Sequence, residues 1–143
     1  MEKITVFRNE NAFLSNMYSS NIMINGLTYK SAEAAFQAQK CIDPKEREKF
    51  TAISAVESKR LGRKVKLRPD WEQIKLKIMA YVVYKKFEQN KALAKKLIAT
   101  ENMYLEETNT WGDRFWGTVN GQGENKLGKI LMWVRKKCIE QHW

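Results

Sequence analysis

Asn21-Ile22-Met23-Ile24-Asn25-Gly26-Leu27-Thr28-Tyr29-Lys30, running straight into Ser31-Ala32-Glu33, is the stretch on which the fold turns. Ile22 and Ile24 alternate on one side of Asn25-Gly26, and Leu27 and Tyr29 on the other. Asn-Gly supplies two residues that tolerate positive φ, the strongest short signal for a β-hairpin. Ser31 then offers a hydroxyl to cap a helix expected over 32–42, with Glu33 in its positive first turn.

Downstream, helices dominate. Asp43-Pro44 opens a helix over 45–53, and Ser54 caps another over 55–61 that Gly62 closes. Arg68-Pro69-Asp70-Trp71 is a turn into a long helix over 71–89, where Ile74, Ile78, Tyr81, Val82 and Phe87 recur at near-helical spacing. A helix over 91–99 turns Leu93, Leu97 and Ile98 inward. The last, over 124–140, buries Leu127, Ile130, Leu131 and Val134, and Arg135, Lys136 and Lys137 suit its negative end. Short strands are expected at 4–7 and 103–106. The order predicts a predominantly helical α+β fold with a small N-terminal β-hairpin, 1–143 forming one domain. Strands and helices do not alternate as a doubly wound sheet requires, and neither a Walker nor a dinucleotide glycine motif is present.

The chain has 143 residues, two cysteines in no paired spacing and one histidine, the penultimate residue. A Ser–His–Asp or Cys–His mechanism needs a well-held imidazole, so carboxylates, amines, hydroxyls or amides must carry any chemistry. Neither a zinc site nor a disulfide framework is indicated. No apolar run reaches the ~20 residues of a membrane span, and the first residues lack a secretory apolar block, so a cytoplasmic protein with no membrane partner is expected. The formal net charge of +10, densest at Lys59, Arg60, Arg63, Lys64, Lys66 and Arg68, favours a phosphate-bearing partner and makes nucleic acid a candidate.

Two further patterns suggest a site. Trp111-Gly112-Asp113-Arg114-Phe115-Trp116-Gly117, continuing through Gly121-Gln122-Gly123-Glu124-Asn125 to a helix near Lys126, joins indoles, an acid and glycines at a helix N-terminus, where an anion would be welcome. Glu33, Gln37 and Lys40 fall at i, i+4 and i+7, along one helical stripe. Such a trio is also what a solvated helix face looks like.

Phe13-Leu14-Ser15-Asn16-Met17-Tyr18 and the block from Gly26 to Lys40 resemble the start of the NADAR, or YbiA-like, N-glycosidase family. Ala55 to Trp71 looks like its middle block. Asp113-Arg114-Phe115-Trp116-Gly117 and Gly123 to Met132 look like its closing block. These blocks keep the family's order over nearly the whole chain. One departure is Ala34, where the family commonly has histidine. The resemblance implies an enzyme that cleaves N-glycosidic bonds, on ADP-ribose attached to guanine in nucleic acid or on early riboflavin-pathway intermediates. A non-catalytic module binding ADP-ribose or nucleic acid is the rival reading. On the enzymatic reading Glu33, Lys40 and Asp113 are the catalytic candidates, because charge developing on the ribose ring needs a carboxylate nearby. Lys40 would bind ribose or phosphate, or attack a ring-opened sugar. Substrate contacts are expected from Ser15, Asn16, Gln37, Asn125 and the Gly117 backbone. Arg63 and Arg68 would meet the diphosphate, and Trp71 and Trp116 would stack on base or sugar. This chemistry needs neither metal nor cofactor. Its partner is an ADP-ribose-containing or ribosyl-phosphate substrate, with the oligomeric state open.

Overall fold

The computed structural model describes residues 2–143 and divides into two units: Asn16–Gln89, and the segment up to Ser15 together with Asn90–Trp143. The short strand β1, Lys3–Ile4, belongs to the second of these.

In the Asn16–Gln89 unit, β2 (Ser19–Ile24) and β3 (Leu27–Ser31) are antiparallel with Ile24 opposite Leu27, leaving a two-residue turn. Asn25 and Gly26 take φ of 51° and 81°, the left-handed pair that such a turn demands. Ile22, Ile24 and Tyr29 are buried while Met23 and Thr28 are exposed, so the pleat separates core from solvent as the alternation predicts. Ser31 ends β3 and caps α1 (Ala32–Ala38), its hydroxyl accepting from Ala34 N at 3.1 Å. The helix stops four residues before the expected end. Gln39 and Lys40 donate to Phe36 O and Gln37 O, tightening the last turn. The carbonyls that would carry the helix on are taken from outside: Lys40 O by Arg68 N at 3.0 Å, Cys41 O by Arg47 Nε at 2.8 Å.

α2 is a short piece, Pro44–Glu48, capped by Asp43. α3 (Ala55–Gly62) carries a reciprocal capping box between Ser54 and Glu57. Gly62 does not cap α3 in a left-handed conformation as the sequence suggested. It is the last helical residue, and its bare Cα lies against the Gln37 side chain, letting α3 approach the alanine-rich α1. α4 runs Trp71–Gln89 as expected, but its buried face is not the expected one. Tyr81 is exposed, while Met79, Val83 and Lys86 join Trp71, Val82 and Phe87 inside.

In the second unit, β1 pairs in parallel with β4 (Tyr104–Leu105). It is shorter and earlier than the strand expected at 4–7. A 3₁₀ helix, Asn9–Leu14, follows it and buries Phe13 and Leu14. α5 (Lys91–Ile98) packs on α6 (Lys126–Glu140), and α6 buries the four apolar residues its spacing predicted. Arg135 is not a solvated end charge. It is buried, and Nη1 donates to Thr100 Oγ1 and Met103 O, each at 2.9 Å.

Candidate functional site

The aromatic loop is built around two short side chains. Asn109 pairs with both peptide groups of Asp113: Nδ2 donates to Asp113 O at 2.8 Å, and Oδ1 accepts from Asp113 N at 3.0 Å. Asp113 Oδ1 in turn accepts from Phe115 N and Trp116 N at 3.1 and 2.9 Å. One oxygen of this candidate acid is thus engaged in shaping the loop. Trp116 is half-buried, edge-on to Phe115 at 4.7 Å, while Trp111 stands 62% exposed. A side chain at Gly117 would run into Glu107, so this position is glycine for packing.

The expected anion site at the start of α6 is closed. The amides of Glu124, Asn125, Lys126 and Leu127 donate to the carbonyls of Arg114, Gly117, Phe115 and Trp116 at 2.7–3.2 Å. The loop therefore caps the helix itself, and those donors are spent. The structure draws Asn125 into the same scaffold. It is 2% exposed, with Oδ1 accepting from Glu107 N at 3.0 Å and Nδ2 donating to Leu105 O and Tyr104 Oη at 2.9 and 3.2 Å. Its left-handed φ of 50° is one that asparagine tolerates well. Asn125→Ala should cost about 2–4 kcal/mol by orphaning a buried amide and carbonyl. Urea denaturation monitored by tryptophan fluorescence checks this, and an unchanged midpoint would show that the staple contributes little.

In the other unit, α1 and its flanks gather most of the early candidates. Glu33 is half-buried in the first turn. Its N–H donates to Asn16 O at 2.9 Å and its Oε2 accepts from Gln37 Nε2 at 2.7 Å. Lys40 is half-buried as well, with Nζ 3.4 Å from Gly62 O. Burial lowers its pKa, the Glu33 charge pulls it back up, and Arg63 pushes it down again. The carboxylate and the ammonium therefore feel each other across the helix face. Asn16 is buried, its Nδ2 on Met79 Sδ at 3.2 Å, so its amide serves packing while its carbonyl orients Glu33. Ser15, in the unit of the aromatic loop, closes the 3₁₀ helix through its N–H on Ala12 O.

Trp71 lies in the core, 5% exposed, its ring 5.1 Å from Phe36. The structure thus uses this indole for packing where stacking on a ligand was expected. Arg63 is exposed just beyond α3. Arg68 is not an open cation. Its fork grips Asp70 at 2.7 and 3.3 Å, and Nη1 reaches Gln39 O at 3.4 Å. Sequence reasoning passed over Lys86, whose position four residues after Val82 and seven after Met79 marks it as part of the buried stripe.

These elements define an α+β fold of predominantly helical character. The model of the NADAR domain matches residues 5–138, and the chain belongs to the NADAR family. It is 37% identical over 127 residues to the N-glycosidase YbiA of Escherichia coli, covering 86% of this chain and 79% of that protein. It is 39% identical over 132 residues to a riboflavin biosynthesis protein of Vibrio vulnificus, spanning about a third (36%) of that protein's length. The NMR structure of E. coli YbiA superposes with a TM-score of 0.85 at 32% identity, covering 99% of this chain and 89% of that one. Among the described residues no helix is long and apolar enough to cross a membrane, and no cluster of three or more His, Cys, Asp or Glu side chains could hold a metal ion.

Proposed function

We propose that this protein is an N-glycosidase that releases ADP-ribose from guanine in nucleic acid. The observation that carries the reading is the Glu33–Lys40 pair: a carboxylate held by Gln37, on a residue whose backbone N–H is fixed by Asn16 O, and an amine just past the end of α1 whose proton is loosened by burial. Relatives named N-glycosidases, alike over most of both chains, support it.

Breaking a C1′–N bond builds positive charge on the ribose, which a nearby carboxylate stabilises while water attacks the anomeric carbon. Glu33 fills that role. Lys40 binds the sugar or its phosphate, or attacks the carbonyl of a ring-opened ribose as the free amine. Gln37 holds the Glu33 carboxylate in place. Within the same unit we assign the diphosphate to Arg63.

A second reading, cleavage of early riboflavin-pathway intermediates, is favoured by the likeness to the Vibrio protein. The test offers ADP-ribosylated guanine oligonucleotide and riboflavin intermediates in separate reactions. Release of ADP-ribose from the first supports the proposal. Release of ribose phosphate from the second alone transfers the reading to the riboflavin substrates, and no release from either removes both.

A further inference from the structure

Beside α2, within the Asn16–Gln89 unit, a cavity of about 330 Å³ has Cys41, Ile42, Val65, Leu67 and Pro69 as its apolar lining. Ile42 and Leu67 are 64% and 49% exposed, more than large aliphatic side chains gain by standing in water. The segment that forms one wall is the most basic in the chain. Lys66 lines the cavity, Arg60, Arg63 and Lys64 precede it in the chain, and all four are exposed; among the described residues none of the four makes an ion pair. An apolar slot that begins at Lys66 and a run of exposed cations leading to it offer a single strand one part for a base and the other for its phosphates.

We propose that the slot receives one unstacked nucleobase of a single strand, with the flanking phosphates lying along Arg60–Lys66. Ile42 and Leu67 cover the ring faces. Asp43 and Glu46, the acids in the lining, accept from the amino edge of the base. Asp43 already uses Oδ1 to cap α2 and Glu46 pairs with Lys49 at 3.0 Å, so neither is an uncompensated charge at the slot. A free nucleotide would fill the slot but leave most of the cationic run empty, and the arrangement therefore favours a strand. The biological sense of this site rests on the nucleic-acid form of the function proposed above, but the test of it needs no turnover.

The probe is a labelled oligodeoxycytidine of about a dozen residues, titrated by fluorescence anisotropy at several salt concentrations. Three or four phosphate contacts give a log–log salt slope of roughly −2 to −3 for a single strand. Lys64→Glu combined with Lys66→Glu should shrink that slope by about 1.4 and weaken binding at least ~10-fold at low salt. Leu67→Ser should weaken binding about 5-fold at every salt concentration with the slope unchanged, the loss of one modest base contact. All these side chains are exposed, so the variants should fold, and melting curves confirm it. A slope unchanged in the charge variant, no effect of Leu67→Ser, or an oligonucleotide bound no more tightly than cytidine monophosphate would each overturn the proposal. Salt-dependent binding that answers to these variants, in a protein that turns over no substrate, would sink the glycosidase reading and leave the slot standing.

Discussion

Glu33→Gln should yield a folded protein whose turnover is lower by about 10³-fold, the middle of the range for removing a positioned catalytic acid or base. The substitution keeps size and shape. A glutamine at this position still presents an oxygen to Gln37 Nε2, and the backbone bond from residue 33 to Asn16 O is untouched. What disappears is the charge that would meet the developing cation on the sugar. The change also reaches Lys40, because the Glu33 charge is what raises its pKa against burial. Without it the amine titrates lower still, so the pH at which Lys40 becomes reactive to an amine reagent should fall in the variant. Single-turnover kinetics with saturating substrate separate the chemical step from binding. Turnover within about threefold of wild type would take Glu33 out of the chemistry, since no catalytic carboxylate is worth so little.

Local signals carried most of the fold. Asn25-Gly26 announces its turn because only residues at ease with positive φ fit there, and Ser31 and Ser54 announce helix starts because a free hydroxyl beside bare amides has one obvious use. The misses came from distant partners. Nothing near Lys40 says that Arg68 N, from the segment leading to α4, will take its carbonyl and end α1. The β1–β4 pair joins residues about a hundred positions apart, and a two-residue strand has no periodicity to read. The Glu33–Gln37 pair was legible because helical spacing fixes it, whereas Lys40 lies past the end of α1. Asn125 was not, because an asparagine beside glycines looks the same whether it faces a ligand or staples a loop to Leu105.

The stability of the protein should rise as pH increases from about 7 toward 9, and Lys86→Met should remove most of that rise. Lys86 is 1% exposed on α4, its ammonium 5.7 Å from the Tyr18 ring centre and 5.2 Å from that of Phe87. The two rings attract the charged form. Loss of hydration opposes them and prevails, bringing the pKa from 10.5 down to about 7. Between those values the unfolded chain binds a proton that the native protein has shed. Stability therefore gains ~1.4 kcal/mol per pH unit across that interval, several kcal/mol in all. Below about pH 7 both states hold the proton, and the native state bears the cost of dehydrating an ammonium that the two rings offset only in part. Buried thiols work the other way at the alkaline end. Burial raises Cys41 and lifts Cys138 to about 11, so above the ordinary thiol value of 9.0 the unfolded chain loses protons that the native state keeps, and stability falls. Below pH 9 the rise comes from Lys86 together with the smaller contribution of Lys40, whose pKa burial also lowers, and the comparison with the variant separates the two. Methionine matches the length of the lysine stem and carries no charge, so the variant should melt with little pH dependence there and gain most on wild type at the acid end. Urea denaturation of both proteins at several pH values makes the comparison. A stability difference that stays constant from pH 7 to pH 9 would mean that Lys86 holds the same protonation state whether the chain is folded or not.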